Sequence, residues 1–223
     1  MLDDRDLYDE SYFMQHYLYD PKRDKMQQQE IARIASRMPH GGLMLDIGCG
    51  VGNFMRAFGA EWTCIGMDVS AFAREQARRK GFHAEEDLEH FFPALFDLVV
   101  FRGTWQHIAT PMADLVQATH ILRPGGMLVF LATPDTDSLV YKIWGNLPML
   151  DPDRNWILPG ARWMSNVLRR LGYQDIEVVH PYWDTPYAGP LRDMGKFVFS
   201  LFFGYRKFAF PGNVMEIYAI KEL

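Results

Sequence analysis

The segment LDIGCGVGNF, residues 45–54, constrains the fold of this chain more than any other stretch. A short apolar run contains one acid, and Gly48, Gly50 and Gly52 follow it at alternate positions. Such a run is typical of a buried strand, and glycines directly after a strand permit a tight turn that a ligand can approach closely. We therefore predict a strand, a ligand-binding turn, and a helix near Asn53 that aims its amides and positive end at the ligand.

Further apolar runs recur along the chain, at residues 43–47, 62–69, 96–101 and 126–132. Continuous apolar runs suit strands of a parallel sheet that is covered on both faces. Helical patterns lie between them, and this alternation with short connections predicts a doubly wound α/β sheet. Residues 175–180 and 213–222 read as two more strands without an ordinary crossover, which favours an antiparallel final strand.

Composition and charge bound the partners of the chain. The net charge is −5 and no basic block is present, so nucleic acid is a poor default partner. Cys49 and Cys64 have no metal-ligand spacing and do not make a disulfide framework. The acidic, polar start is unlike a signal peptide, and no apolar run reaches the length of a membrane span. We expect a cytoplasmic protein without a metal site.

The glycine spacing narrows the class of ligand. In the dinucleotide fingerprint G-x-G-x-x-G the third glycine would fall at Asn53, but here it falls one residue earlier, at Gly52. Asp46 stands before the first glycine, and a carboxylate there suits a cationic ligand better than a pyrophosphate. Asp68 ends the second strand, about 20 residues after Gly48, where an acid can bind both ribose hydroxyls. That acid alone does not separate NAD from other adenosine cofactors, and Ser70 already offers a helix cap.

Four segments in this order make the chain resemble class I S-adenosylmethionine-dependent methyltransferases: LDIGCGVGNF, GMDVS, FDLVVFRGTWQHI and LRPGGMLVF. The resemblance covers most of the chain. The second half, from TPDTDSLVYKIWG onward, resembles the small-molecule branch that includes ubiquinone-biosynthesis and sugar O-methyltransferases. The resemblance implies S-adenosylmethionine as the cofactor and S-adenosylhomocysteine as its product.

The resemblance also implies a set of cofactor-binding residues: Asp46, Gly48, Cys49, Gly50, Gly52, Met67, Asp68, Val69, Asp87, Leu88, Phe101, Arg102 and Tyr12. The glycine loop would cradle the amino acid part of the cofactor, with Asp46 orienting the loop and the amine. Asp68 would hold the ribose, with Met67 and Val69 beside the adenine.

Other parts of the cofactor are assigned in the same way. Asp87 would accept a hydrogen bond from the adenine amino group, although Glu85 and Glu86 are neighbouring alternatives, and Leu88 would lie against the ring. At the end of the fourth strand, Phe101 and Arg102 would flank the methionine moiety. In the aromatic leader, Tyr12 is the expected contact.

A hydroxyl acceptor needs a base, and His107 is the best-placed candidate because it follows the fourth strand at the ligand-binding edge. The alternative is that His107 only holds the loop or packs against the cofactor. His16 in the leader is the second choice. Five more histidines read as surface or structural: His40, His83, His90, His120 and His180.

The acceptor is expected to be a small molecule. Methylases of nucleobase or glutamine amino groups often carry an Asn/Asp-Pro-Pro-Tyr/Phe run after the fourth strand, where this chain reads RGTW. With the acidic balance, this argues against methylation of DNA or RNA bases. An aromatic insert before the last strand, Met194 to Phe210, is predicted in part to line the acceptor site and otherwise to pack on the body or on a second subunit of a homodimer.

We therefore expect one domain, residues 1–223, with a cap and first helix at 1–40, a cofactor-binding core at 41–133 and a substrate-side half at 134–223 that carries an insert at 184–212. Its fold would be a Rossmann-like, mostly parallel sheet of seven strands with the last antiparallel, plus the helical leader. Two other functions stay open: an NAD(P)-binding oxidoreductase or epimerase, and a protein that binds S-adenosylmethionine without turnover. The shifted third glycine and the lack of a Tyr-x-x-x-Lys pair disfavour the first.

Overall fold

The computed structural model describes residues 8–16, 21–183 and 185–223. Its strands are Gly42–Ile47 (β1), Trp62–Met67 (β2), His83–Glu85 (β3), Phe96–Arg102 (β4), Leu122–Pro134 (β5), Tyr173–Val179 (β6) and Val214–Lys221 (β7). Its α-helices are Glu10–His16 (α1), Pro21–Arg37 (α2), Ala71–Arg79 (α3), Pro111–Ile121 (α4), Leu139–Trp144 (α5), Ala161–Arg170 (α6) and Pro190–Phe203 (α7).

The strands form one sheet in the order β3-β2-β1-β4-β5-β7-β6. The pairs among β1 to β5 are parallel, whereas β7 runs antiparallel to both β5 and β6. The predicted fold class, including the antiparallel last strand, is confirmed. The strand order reverses between β1 and β4, and in such sheets ligands bind outside the carboxyl ends of the strands at this point.

The apolar runs of the sequence become the buried centre of this sheet. In β4 the four residues Leu98–Phe101 are fully buried, because helices or further chain cover both faces. The strand β5 is longer than its apolar run, since Leu122 pairs with Phe96 across a bulge and Pro134 pairs with Val214. Those extra pairs depend on tertiary contacts that the local pattern does not contain.

The predicted helix after the glycine loop is wrong. The described residues form only a short 3₁₀ turn there, Met55–Ala57, which ends at the extended residue Phe58. Few residues separate Gly52 from β2, and the rings of Phe54, Phe58 and Trp62 pack edge to face against one another in that space. A turn of this length has no useful macrodipole, so any ligand at the loop meets individual amides rather than a helix end.

Helix boundaries follow the sequence signals more closely. The helix α3 begins after Ser70, whose Oγ accepts a hydrogen bond from Ala73 N at 3.4 Å, and Gly81 follows its end at φ +91°. Pro21 is the first residue of α2, as its fixed φ favours. The expected cap at Asp20 lies outside the described residues.

The aromatic insert forms α7 and an extended return to β7. Its inner face packs Phe197 against Trp144 of α5, with ring centroids 5.4 Å apart, and stacks Phe197 on Phe210. Its outer face exposes Leu191 and Phe202, which keep 92% and 76% of their accessible area. The insert therefore packs on α5 and on its own return segment and leaves one face to solvent.

Candidate functional site

The glycine loop turns sharply at the carboxyl end of β1. Gly48, Gly50 and Gly52 have φ values of +76°, +53° and +78°, in the left-handed region that favours glycine. The N–H groups of Gly48 and Cys49 both donate to the carbonyl of Met67, at 2.7 and 3.0 Å. These bonds fix the loop to the end of β2.

The turn also brings the loop against the residues that follow β4. A Cβ on Gly48 would lie 2.8 Å from Thr104 Cβ and closer still to the other side-chain atoms of Thr104. Any side chain at position 48 would therefore displace Thr104 as well as strain the backbone. The sequence alone identifies the glycine but gives no sign of its partner across the edge.

Asp68 joins the loop to α3. Its Oδ2 accepts a hydrogen bond from Gly50 N at 2.8 Å, and its Oδ1 accepts one from Ser70 N at 2.9 Å. Burial raises the pKa of Asp68, and the two N–H donors oppose that rise. Each carboxylate oxygen keeps a further lone pair, so Asp68 can accept from ribose hydroxyls while it holds the loop.

Replacing Asp68 with alanine is expected to weaken S-adenosylhomocysteine binding by about 1.5–3 kcal/mol, the scale of paired bonds to a charged acceptor. The loss arises because the ribose hydroxyls and the Gly50 amide lose their acceptor together. Calorimetric titration of the variant measures it. Asp97→Asn is the matched control, because Asp97 also accepts a backbone hydrogen bond, from Leu43 N, but at the amino end of β1, away from the glycine loop. An unchanged dissociation constant for Asp68→Ala would remove Asp68 from the site.

Asp46 is a buried acid with one oxygen unused. It is 2% exposed, and its Oδ1 has no hydrogen-bond partner among the described residues. The pKa of Asp46 is raised to about 7, chiefly by burial; Arg102 opposes the rise, and the nearby Asp68 and Glu30 carboxylates add to it. A buried acceptor of this kind is costly unless something pairs with it, so it marks a place for a donor or cation.

The raised pKa of Asp46 has a measurable consequence for stability. Between about pH 4 and pH 7 the unfolded chain has released this proton while the folded chain retains it, so raising the pH favours unfolding. We expect the free energy of unfolding to fall across this window, relative to Asp46→Asn, by on the order of 3 kcal/mol. Urea denaturation of both proteins at several pH values measures the difference, and parallel pH curves would contradict it.

A first cavity of about 120 Å³ opens beside this edge. It brings together six residues that the sequence pointed to: Tyr12, Gly48, Met67, Asp68, Val69 and His107. It also brings together seven others: Tyr8, Phe13, Ile47, Gly103, Thr104, Ile108 and Asp114. This second group had two sequence signals: the aromatic leader, which contains Tyr8 and Phe13, and the small residues after β4 in the stretch RGT, which let a ligand approach the strand end.

His107 lies in the wall of the first cavity with a fixed orientation. Its Nδ1 is 3.0 Å from the carbonyl oxygen of Arg154, and a carbonyl can only accept, so Nδ1 carries the proton. Nε2 of the neutral ring therefore holds a lone pair. Burial lowers the pKa of His107, which favours this neutral form near pH 7. The ring is thus arranged as an acceptor of a proton or hydrogen bond.

Several predicted residues lie outside the described lining of the first cavity. Asp87 accepts from Glu89 N at 3.0 Å and contacts His90 at 2.7 Å, with its side chain half exposed. Leu88 and Phe101 are buried in the main core, where Phe101 stacks on Phe130. Their proposed cofactor contacts stay predictions.

Two more predicted residues act as supports. Cys49 is buried, and burial raises the pKa of its thiol, so the side chain stays neutral and packs in the core. Arg102 Nε donates to Glu30 Oε2 of α2 at 2.7 Å. This ion pair joins the end of β4 to the first long helix, a contact that sequence reasoning missed because Glu30 reads as an ordinary helical surface residue.

The leader helix α1 covers the first cavity. Tyr12 meets the rings of Tyr8 and Phe13 edge to face, with centroids 5.0 and 5.2 Å away, and the Arg154 guanidinium lies 5.0 Å from its ring. The described part of the leader therefore lies over this edge of the sheet, and its contact with the cofactor stays a prediction. The side chain of His16 and all of Tyr17 and Tyr19 lie outside the described residues.

A second, larger cavity of about 540 Å³ lies farther along the same edge of the sheet. Its walls come from α2, the end of β5, Pro148 and Met149 after α5, the segment after β6, α7, and the return segment with the start of β7. Ala132 lines it, and a Cβ on Gly103 of the first cavity would lie 3.8 Å from Ala132 Cβ. The two cavities are therefore back to back across the ends of β4 and β5.

Two further features are not found in the described part of the chain. No cluster of His, Cys, Asp and Glu residues there could hold a metal ion. None of the described helices is both long and apolar enough to span a bilayer.

This geometry is typical of proteins that bind a nucleoside cofactor: a glycine loop, a buried acid at the end of the second strand and a cavity at the switch point of a doubly wound sheet. A family model described as a methyltransferase domain matches residues 14–178, most of the chain, and the chain belongs to this family. The prediction of a class I methyltransferase with S-adenosylmethionine as its cofactor is confirmed.

Curated relatives name two kinds of acceptor. The tRNA U34 carboxymethyltransferase of Pseudoalteromonas translucida is 28% identical over 165 residues, which are 63% of this chain and 49% of that protein. The ubiquinone biosynthesis O-methyltransferase of Xylella fastidiosa is 32% identical over 112 residues, which are 45% of each protein. The chain spans about half the length of the curated relatives it matches.

Solved structures share the fold. Phosphoethanolamine N-methyltransferase 2 of Haemonchus contortus, in complex with phosphomonomethylethanolamine and S-adenosylhomocysteine, superposes with a TM-score of 0.67 at 17% identity, covering 100% of this chain and 61% of that one. An S-adenosylmethionine-dependent methyltransferase of Archaeoglobus fulgidus gives 0.60 at 18% identity, covering 87% and 94% of the two chains. At these identities the likeness concerns the fold.

Proposed function

We propose that this protein transfers the methyl group of S-adenosylmethionine to a hydroxyl oxygen of a small-molecule acceptor. The observation that carries the proposal is the placement of His107, a neutral base candidate in the wall of the first cavity whose Nδ1 is held by a backbone carbonyl. Its lone pair on Nε2 is the group that an oxygen acceptor requires.

The residues present fit the cofactor. The unused Oδ1 of the buried Asp46 suits a cationic amine, and the close approach of Gly48 to Thr104 leaves a backbone wall that a ligand can touch. Asp68 holds the glycine loop and offers acceptors to the ribose. When bound, S-adenosylmethionine would supply an electrophilic methyl group carried on a sulfonium, with a neutral thioether as the leaving group.

The chain then has a limited set of tasks. His107 Nε2 takes the hydroxyl proton as the acceptor oxygen becomes nucleophilic. The leader helix α1, with Tyr12 over the first cavity, keeps water away from the reacting atoms. Since the cofactor is already activated by its charge, positioning supplies much of the rate increase.

A labelling experiment, together with calorimetry, tests the proposal against its main alternatives. The protein is incubated with methyl-labelled S-adenosylmethionine and a lysate that is separated afterwards into small-molecule, RNA and protein fractions. Label in a small-molecule hydroxyl supports the proposal. Calorimetry that shows NADH binding and no S-adenosylhomocysteine binding would support the oxidoreductase alternative. S-adenosylhomocysteine binding without any labelled product would support a protein that binds the cofactor but does not turn it over.

A second candidate is an RNA acceptor, which the names of several relatives favour, among them the enzyme of Pseudoalteromonas translucida. The net charge of −5 and the sequence RGTW after β4 weigh against it. Label in the RNA fraction of the same experiment would replace the small-molecule proposal with this one.

A further inference from the structure

We propose that the second cavity is the acceptor site and that it takes a small molecule with an apolar body and one anionic group, a carboxylate or a phosphate. This inference rests on the proposed function, because it names the class of molecule that receives the methyl group. Position, wall chemistry and charge each carry part of it.

Position and size suit an acceptor. The volume of about 540 Å³ lies within the range of roughly 300–1,000 Å³ that is usual for small-ligand pockets. Through Gly103 and Ala132 the second cavity adjoins the first, so a molecule seated there could extend a nucleophile toward the methyl donor. Ala132 itself has φ +49° at the bulge where β5 pairs with β7, which bends the strand end that separates the two cavities.

The carboxylates in the wall of the second cavity are already engaged. Each of the three, Glu30, Asp193 and Glu216, is 1% exposed. Glu30 pairs with Arg102, Glu216 pairs with Arg33, and Asp193 accepts from Tyr182 at 2.9 Å and from Arg192 at 2.8 Å. Their charges are neutralised inside the wall, so they do not equip the cavity for a cation.

The cations are in excess. Five line the cavity: Lys22, Arg33, Arg192, Lys196 and Lys207. Arg33 and Arg192 neutralise carboxylates, but Lys196 Nζ contacts the Lys207 carbonyl at 3.4 Å, and neither lysine forms an ion pair within the described chain. Two ammonium groups at the rim of a largely apolar cavity favour an anion on an apolar ligand.

A buried amide completes the site. Asn213 is 2% exposed and lines the cavity, and its Nδ2 donates to the Phe208 carbonyl at 3.2 Å. Its Oδ1 has no partner among the residues that the structure describes. A buried amide oxygen of this kind points to a ligand that supplies a donor, such as the acceptor hydroxyl or an amide of its body.

The test uses a fluorescent probe of the same chemistry, 8-anilinonaphthalene-1-sulfonate, which joins an aromatic body to one anion. Titration into the wild-type protein should give saturable binding. Lys196→Gln and Lys207→Gln should each weaken it about three- to tenfold, because each removes one anion contact at the rim. Arg206 is one position from Lys207 but outside the cavity lining, so Arg206→Gln should leave the probe affinity unchanged. Lys207→Arg, which keeps the positive charge, should bind the probe with the wild-type affinity.

Two further measurements locate the binding and its charge dependence. N-phenyl-1-naphthylamine, which lacks the sulfonate, should bind the wild type and the lysine variants equally. Phe202→Ser alters the exposed outer face of α7, outside the cavity, and should not change probe binding. If Phe202→Ser loses probe binding and the two lysine variants do not, the proposal is overturned. Equal affinity of Lys196→Gln, Lys207→Gln and the wild type for the sulfonate probe would also overturn it.

Calorimetry with S-adenosylhomocysteine keeps this inference apart from the proposed function. Loss of probe affinity with unchanged S-adenosylhomocysteine affinity in the lysine variants supports the inference. Absence of S-adenosylhomocysteine binding in the wild type would defeat the proposed function but not the anion site. Among labelled products, a carboxylate or a phosphate ester identifies the source of the anion, whereas labelled RNA overturns the small-molecule assignment.

Discussion

Replacing His107 with alanine is expected to lower kcat by about 10²–10⁴-fold while S-adenosylhomocysteine affinity stays unchanged. The physical reason is that the variant lacks Nε2, the proposed proton acceptor, which holds the lone pair because Nδ1 carries the proton. In the wild type, kcat should rise with pH through the pKa of His107 and level off above it, and this rise should lie at lower pH than for an ordinary histidine, since burial lowers the pKa of His107. Steady-state rates across pH measure both effects once an acceptor is known.

A histidine far from the first cavity provides the control for this experiment. His120 is exposed on α4, and His120→Gln should retain both the wild-type rate and its pH profile. A His107→Ala protein that loses cofactor affinity would show that the side chain supports the site. A variant that keeps the wild-type pH profile would also exclude it as the base.

The second large effect is expected at Gly48. Gly48→Ala should destabilise the fold by about 2–4 kcal/mol, because it adds left-handed strain at φ +76° to a collision with Thr104. It should also abolish measurable S-adenosylhomocysteine binding, since Thr104 and the loop must separate. Urea denaturation and calorimetry on the same preparation measure the two losses.

Gly145 separates strain from collision. It has φ +64°, and a Cβ there would meet nothing within 4 Å, so Gly145→Ala reports the backbone cost alone, about 1 kcal/mol. Adding Thr104→Gly to Gly48→Ala should recover much of the difference between the two variants. Equal destabilisation of Gly145→Ala and Gly48→Ala would show that Thr104 yields without cost.

The sheet was predictable because its information is local. A run such as the one in β4 reports burial on both faces residue by residue, and the doubly wound, mostly parallel architecture followed from the alternation of elements. The glycine loop and Asp68 were predictable for a similar reason, since each marks the end of a strand. Residues at the carboxyl ends of neighbouring parallel strands lie close together, because these ends meet at one edge of the sheet.

The rest depended on contacts between distant parts of the chain. Nothing near Gly48 in the sequence shows that Thr104 lies against it, and nothing near Glu30 shows that Arg102 reaches it. The helix predicted after the loop failed because the aromatic packing of Phe54 with Phe58 was not part of the local glycine pattern. The second cavity draws its walls from six separate segments, so no single segment predicts it.

The position of β7 has a consequence for how the molecule assembles. This strand comes after β6 in the chain, yet it lies between β5 and β6 and pairs with both. Until β7 inserts, β5 has an open edge and β6 has no neighbour in the described sheet, and open edges invite pairing with other chains. During synthesis on the ribosome, β5 and β6 are made before β7 and stay unpaired at these edges until β7 has been added. In that interval aggregation competes most strongly with folding.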